Sequence, residues 1–364
     1  MVNISLNRIT LYEKKGQGNE VLLNDISLDV KAGEFITLTG PINSGKSRIL
    51  RIVAGLTEPD SGNVLFNGKP LSEFSPKYEN LAMVFRSQAL YPHLTVRKNL
   101  EFGLKLANIP KSTINTRIAE IEDLLDIPNI MDLKPDALPI SERQIVALAR
   151  AFVKHPQVLI LDEPISELDS QSKIKIQSII KRFCINLQAT VMYATHNPSE
   201  AMTLSNRIVC INKGIILQVG TNYELYNQPI NESVARFIGY PEMNFIEFET
   251  VEENNHITLN FINANYSVEV PPKLKDVLKH YTKAKIGIRA EHLKISGEES
   301  PYTVPMIVEM QEYAGSQSII YVSREHQTLA VEVSMNKRYE LGETVYVEPE
   351  QNEMHLFTKG KLVI

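Results

Sequence analysis

Residues 40–47 read Gly-Pro-Ile-Asn-Ser-Gly-Lys-Ser, a match to G-x-x-x-x-G-K-[ST], the pattern of a loop that wraps the phosphates of a nucleotide. The pattern carries weight only between a strand and a helix. Phe35-Ile36-Thr37-Leu38-Thr39 precedes it as a buried strand. Ile49, Leu50, Val53 and Leu56 follow at helical spacing, with Gly55 as the stop. The glycines let several N–H groups converge on an anion, and the helix adds its unpaired N–H groups and positive dipole end. In such a loop Lys46 reaches the β- and γ-phosphates and Ser47 offers its hydroxyl to Mg²⁺.

Buried strands and helical patterns alternate beyond this loop. Val158-Leu159-Ile160-Leu161 and Thr190-Val191-Met192-Tyr193-Ala194 read as strands, with Ile176, Ile179, Ile180, Phe183 and Leu187 marking a helix between them. Asn212-Lys213-Gly214 reads as a hairpin turn. Alternation of this kind predicts a doubly wound α/β core. Residues 92–155 are richer in helical pattern, including Ile114, Ile118, Ile121, Leu124 and Leu125 ahead of Pro128.

The pattern changes near Gly239-Tyr240-Pro241. Period-two alternation follows in Ile257, Leu259, Phe261, then Val304, Met306, Val308, then Leu329, Val331, Val333, and Val345, Val347. A helix-like stretch from Pro272 to Tyr281 interrupts it. Many short strands with turn signals predict a small all-β domain. The expected division is 1–240 and 241–364.

A chain of 364 residues is too long for one ordinary core. Its hydrophobic fraction of 43% and charged fraction of 22% are those of a globular protein. The net charge of −5 offers no electrostatic reason for a nucleic-acid partner. No apolar run reaches the roughly 18–20 residues needed to cross a bilayer, and the first residues lack a signal-peptide layout. Any membrane role is therefore expected to run through partner proteins. Cys184 and Cys210 lie in apolar segments and read as small core residues, not a disulfide or metal pair.

Asp162 and Glu163 end one buried strand, and ligands of open α/β sheets bind at the carboxyl ends of strands. Asp162 is placed to hold Mg²⁺ beside Ser47. Glu163 is placed to polarise an attacking water. His196 follows the next strand in the same way, within reach of a γ-phosphate.

Together these residues resemble the ATPase subunit of an ATP-binding-cassette (ABC) transporter, and within that superfamily the maltose, multiple-sugar and glycerol-phosphate importers. Gly40, Pro41, Asn43, Ser44, Gly45, Lys46, Ser47 and Arg48 fall on the Walker A nucleotide-binding loop, Asp162 and Glu163 on Walker B, Ser166, Leu168 and Asp169 on the D-loop, and His196 on the switch histidine. The segments 89–96, 218–221, 224–226 and 237–239 are near the importer consensus. Met243-Asn244-Phe245 and residues 287–293 match the oligonucleotide-fold regulatory (TOBE-like) domain.

The resemblance implies an α/β P-loop NTPase with a helical subdomain at about 92–155, followed by an all-β regulatory domain. It implies ATP and Mg²⁺ as cofactors, with Glu163 and His196 catalytic and Ser47 and Asp162 on the metal. It also implies transmembrane permease subunits as direct partners, an extracytoplasmic solute-binding protein as an indirect one, and a peripheral place on the cytoplasmic face of the membrane. Tyr12 is the candidate to stack on adenine, although it aligns one residue early.

Two departures stand out. The family signature L-S-G-G-Q is replaced by Leu138-Pro139-Ile140-Ser141-Glu142. In the family this segment meets the γ-phosphate from the other subunit of a dimer. Pro139 has neither hydroxyl nor N–H, Ile140 is branched where backbone must approach closely, and Glu142 carries negative charge toward an anion. Like charges about 4 Å apart repel by roughly 4 kcal/mol in a surface-like dielectric, against ~0.3–1 kcal/mol gained from a helix dipole. The second departure is Arg86, where the family has a glutamine that touches Mg²⁺ and the attacking water. A guanidinium cannot ligate a cation but can pair with phosphate or with Glu163.

Intact Walker residues beside an altered signature point to an asymmetric ATPase heterodimer, the partner being a second ATPase chain with a regular signature. The alternative is a nucleotide-binding regulatory or scaffold subunit with little catalysis, which Arg86 favours and Glu163 and His196 oppose. A sugar is the expected solute, with a polyamine or a metal oxyanion as alternatives. Leu90, Tyr91 and Leu94 are the expected anchors of a groove for a permease helix.

Overall fold

A computed structural model of the chain describes residues 2–15, 18–71, 73, 81–253, 256–270, 281–314, 317–350 and 352–363. The expected helix at 272–281 lies outside them except for its last residue. The chain divides into two compact units, Met1–Asn222 and Tyr223–Ile364.

In the first unit a six-stranded sheet runs in the order Ile215–Gly220, Arg207–Asn212, Phe35–Thr39, Thr190–Thr195, Val158–Asp162, Leu81–Val84. All neighbours are parallel except the antiparallel edge pair Arg207–Asn212 and Ile215–Gly220. The central strands are buried along their whole length, as parallel strands covered on both faces must be. On one face pack the helices Val96–Leu106, Lys111–Leu125, Ile140–Phe152 and Ser170–Leu187. Phe152 and Phe183 stack there with ring centroids 3.7 Å apart.

The other face is covered by the helix Lys46–Val53 and by a second sheet, which the sequence reading did not anticipate. It is antiparallel, in the order Gly18–Val30, Ile4–Lys15, Ser61–Phe66, Lys69–Pro70. Its alternation is concealed by two register shifts, one between Leu6 and Ile9, where Arg8 takes φ 50°, and one between Ile9 and Leu11, where Asp25 of the paired strand takes φ 49°. A bulge of this kind moves the apolar set out of step by one residue. Ile4, Leu6, Ile9, Leu23 and Ile26 are nonetheless all buried. Leu56, expected on the face of the Walker helix, lies beyond its end and is 59% exposed, since Gly55 turns the chain at φ 71°.

In the second unit two sheets enclose one core. One runs Tyr266–Glu269, His256–Phe261, Asn244–Glu253, Lys283–Ile288, His355–Thr358, Lys361–Leu362; the other runs Leu293–Ser296, Thr344–Pro349, Val304–Ala314, Gln317–Arg324, Gln327–Ser334. Phe248, Leu259, Ile286, Met306, Val322 and Val331 meet between them.

The compact division falls at Asn222 and Tyr223, ahead of the composition change near 240. Arg289 is one fastening that places it there, beside the backbone bonds Glu232 N–H to the Gly360 carbonyl and Leu362 N–H to the Ile230 carbonyl. It is 2% exposed, and its guanidinium donates to the carbonyls of Tyr226, Ala235 and Ile238. It also lies 4.1 Å over the Tyr226 ring. The helix Glu232–Phe237, and Tyr226 in the short helix before it, are thereby fastened to the β-rich unit. Among the described residues no helix is long and apolar enough to cross a membrane.

Candidate functional site

Gly40 leaves the Phe35–Thr39 strand at φ 152°, where a Cβ would stand 1.9 Å from the Ile211 carbonyl oxygen. Gly45 opens the Lys46–Val53 helix at φ 110° with no side-chain cap, so the helix N-terminus faces the loop. Asn43 takes φ 65°, a left-handed position that asparagine tolerates. Lys46 is buried and arches back over the loop, donating to the carbonyls of Gly40 and Pro41, each at 2.8 Å, and to Ser44 Oγ at 3.2 Å. Burial lowers its pKa, against the pull of Glu163 and Asp162.

Ser47 Oγ donates to Asp162 Oδ1 at 2.7 Å, which joins the two expected metal ligands at one point. Burial raises the Asp162 pKa, and the Ser47 hydrogen bond opposes the shift. Glu163 leaves the strand at φ 48°, its N–H donating to the Ala194 carbonyl. His196 Nδ1 stands 3.1 Å from Glu163 Oε1. His196 is set by the strand end before it and the helix Pro198–Leu204 after it, whose cap Asn197 accepts from the N–H groups of Ser199 and Glu200.

A cleft of about 370 Å³ opens here, and Asn43, Ser44, Gly45, Lys46, Ser47, Arg48, Asp162 and Glu163 all line it. So do Ile42, inside the same loop, and Arg51, which the sequence reading passed over. Arg51 had a legible signal: it follows Ser47 by one helical turn and shares its face. Gly40 and Pro41 contribute the carbonyls that hold Lys46, and His196 reaches the cleft through Glu163. Tyr12 does not join the lining. It lies on the Ile4–Lys15 strand of the antiparallel sheet, 43% exposed, with its N–H donating to Asp60 Oδ2.

Arg86 also lines the cleft. Its Nη1 lies 3.7 Å from Glu163 Oε2, and its Nε donates to Glu167 Oε1 at 3.2 Å. The D-loop residues do local work: Ser166 Oγ donates to the Glu163 carbonyl, Leu168 is buried, and Asp169 caps the Ser170–Leu187 helix by accepting from the Ser172 N–H and hydroxyl. Those two bonds hold the Asp169 carboxyl below its usual pKa.

The segment 138–142 stands apart from the cleft lining. Leu138 is buried, Pro139 takes the cap position of the Ile140–Phe152 helix without a side-chain cap, Ile140 is 48% exposed, Ser141 is half-buried, and Glu142 lies in the first turn. Around Tyr91 the three expected anchors take different places. Leu90 packs on the core, and Leu94 is half-buried outside the groove. Tyr91 does line a groove, of about 110 Å³, together with Phe102, Arg150 and Lys154. Tyr91 lies 4.7 Å from the Phe102 ring, with Arg150 5.3 Å over it. The fully buried Asn99, another residue the sequence reading missed, accepts from the Tyr91 N–H and donates to the carbonyls of Tyr91, Leu94 and Thr95.

Comparison with known proteins bears on this geometry. Residues 23–166 match the ABC transporter family model and residues 286–357 the TOBE domain model. The maltose/maltodextrin import ATP-binding protein MalK of Photorhabdus laumondii is 36% identical over 356 residues, 97% of this chain and 96% of that protein. The sn-glycerol-3-phosphate import ATP-binding protein UgpC of Escherichia coli K12 is 33% identical over 98% of both chains. The chain belongs to the ABC transporter ATP-binding proteins.

An uncharacterized ABC transporter ATP-binding protein of Bacillus subtilis, YurJ, is 36% identical over 95% of this chain and 96% of its own length. Among solved structures, the dimeric structure of MJ0796, a bacterial ABC transporter cassette, is 26% identical with a TM-score of 0.56, covering 60% of this chain and 98% of that one. The shared part is therefore the cassette, and the TOBE domain extends beyond it. The two units of this ABC ATPase are thus an α/β P-loop cassette and a β-rich TOBE-containing domain.

Proposed function

We propose that this ABC ATPase subunit hydrolyses ATP, with Mg²⁺, to power uptake of a sugar or a glycerol phosphate through permease subunits at the cytoplasmic face of the membrane. The observation that carries it is the convergence of Lys46, the Ser47–Asp162 pair and the Glu163–His196 pair on one cleft. Ser47 Oγ and the Asp162 carboxylate are hard oxygen donors that suit Mg²⁺, and they would hold it. When bound, the cation neutralises charge on the β- and γ-phosphate oxygens. Lys46 and the N–H groups of the Gly40–Ser47 loop bind the phosphates. Glu163 accepts a proton from the attacking water, and His196 holds the Glu163 carboxylate in place.

The partner is a second ATPase chain with a regular signature. Pro139, Ile140 and Glu142 support this, because they remove the N–H and hydroxyl contacts to phosphate and add a negative charge. The test is ATP turnover by the purified chain, alone and mixed with a candidate partner and its permease, with and without solute. Turnover that needs the partner and rises with a sugar supports the proposal. Rapid turnover by the lone chain, lost in Glu163→Gln, would overturn the heterodimer. Stimulation by a polyamine or a metal oxyanion would overturn the choice of solute.

The Arg86–Glu163 contact favours a second reading, a nucleotide-binding regulatory subunit in which the guanidinium restrains the base. ATP binding without phosphate release in the presence of any partner would support it.

A further inference from the structure

Arg86 lines the cleft and takes no part in the hydrolysis itself. It bridges Glu163, whose side chain is 13% exposed, and Glu167, which is 48% exposed. Lys46, Arg48, Arg51 and Arg86 outnumber Asp162 and Glu163 around the cleft, so its field favours an added anion. The guanidinium is permanently charged and forked, a shape that matches phosphate oxygens two at a time. Its hydrogen bond to Glu167 joins two half-exposed side chains, and such pairs contribute little. A terminal phosphate in the cleft is the stronger competitor for the same donors.

On the reading that the cleft takes ATP, we propose that Arg86 makes the site selective for a triphosphate over a diphosphate: it exchanges Glu167 for the terminal phosphate while staying beside Glu163. The subunit that holds the nucleotide thus supplies, from its own chain, a cation at the terminal phosphate. Glu167 is the resting place of that cation and sets the cost of moving it.

The experiment is equilibrium binding of ATPγS and of ADP, each with Mg²⁺, to the full-length chain by calorimetry. Arg86→Met, which keeps the length and removes every donor, is expected to weaken ATPγS about tenfold and to leave ADP within about twofold. Arg86→Lys keeps the charge without the fork and falls between. Glu167→Gln is expected to tighten ATPγS about threefold, because the guanidinium is no longer held. ADP affinity reports in every variant that the cleft is folded. An ATPγS-to-ADP ratio unchanged in Arg86→Met, or weaker ATPγS binding in Glu167→Gln, overturns the proposal alone. Failure of the wild-type chain to bind either nucleotide overturns the ATP site and the proposal with it.

Discussion

His196 Nδ1 stands 3.1 Å from Glu163 Oε1, so the imidazole holds one oxygen of the carboxylate placed to activate water. The other oxygen, Oε2, faces Arg86 Nη1 at 3.7 Å. Substitution of Glu163 by Gln keeps the shape and removes the base. Turnover in the assembled transporter is expected to fall by roughly 10²–10⁴-fold, with ATP affinity held within about threefold. His196→Ala is expected to lower turnover in the same direction and to add little to Glu163→Gln, because the two act as a unit. Steady-state phosphate release by the single and double variants checks both.

Gly40→Ala tests the loop. Its Cβ would meet the Ile211 carbonyl oxygen at 1.9 Å, and φ 152° is a conformation that alanine rarely adopts. The expected cost is about 3 kcal/mol or more, read as a lower thermal midpoint together with loss of nucleotide binding.

Arg289→Met tests the fastening of the second unit. The side chain is of similar length, but three backbone carbonyls lose a charged donor in a buried place. A loss of about 2–4 kcal/mol is expected, since buried carbonyls left without a donor cost roughly 1–3 kcal/mol each and do not add fully. Denaturant unfolding measures it, and protease sensitivity between residues 222 and 241 is expected to rise.

The two cysteines give a prediction with a definite sign. Burial pushes both the Cys184 and the Cys210 thiols up to about 12 from an ordinary value of 9.0. The folded state therefore keeps protons that the unfolded chain gives up first. Stability from this source is fully present below pH 9 and declines between pH 9 and 12, by about 1.4 kcal/mol per pH unit for each thiol. Chemical unfolding of the wild type and of Cys184→Ala across that window checks the slope. Neither thiol is expected to react with a thiol reagent at pH 8 before unfolding.

The Tyr91 groove predicts a separation of functions. Phe102→Asp places a charge beside the Tyr91 ring without touching the nucleotide cleft. ATP affinity of the isolated chain is expected to stay within about twofold, while assembly with the permease, measured by co-purification from membranes, is lost.

By itself the sequence determined the elements whose signal is local: the strand, loop and helix around Gly40–Ser47, the buried strands that end in Asp162 and Thr195, the hairpin at Asn212–Gly214, and the β-rich character of the second unit. Each rests on residue spacing within a short window, which backbone geometry alone imposes. Tertiary structure decided what depends on partners distant in the chain. The bulged antiparallel sheet at the N-terminus concealed its alternation. Arg289 drew the Glu232–Phe237 helix to the β-rich unit by bonds no local pattern announces. Arg86 met Glu163 and Glu167 only because the Leu81–Val84 strand lies beside Val158–Asp162 in the sheet. Motif chemistry was legible because a phosphate loop needs its residues in sequence. Which side chains surround that loop depends on strand order, and strand order is fixed by how two covered faces bury their apolar area.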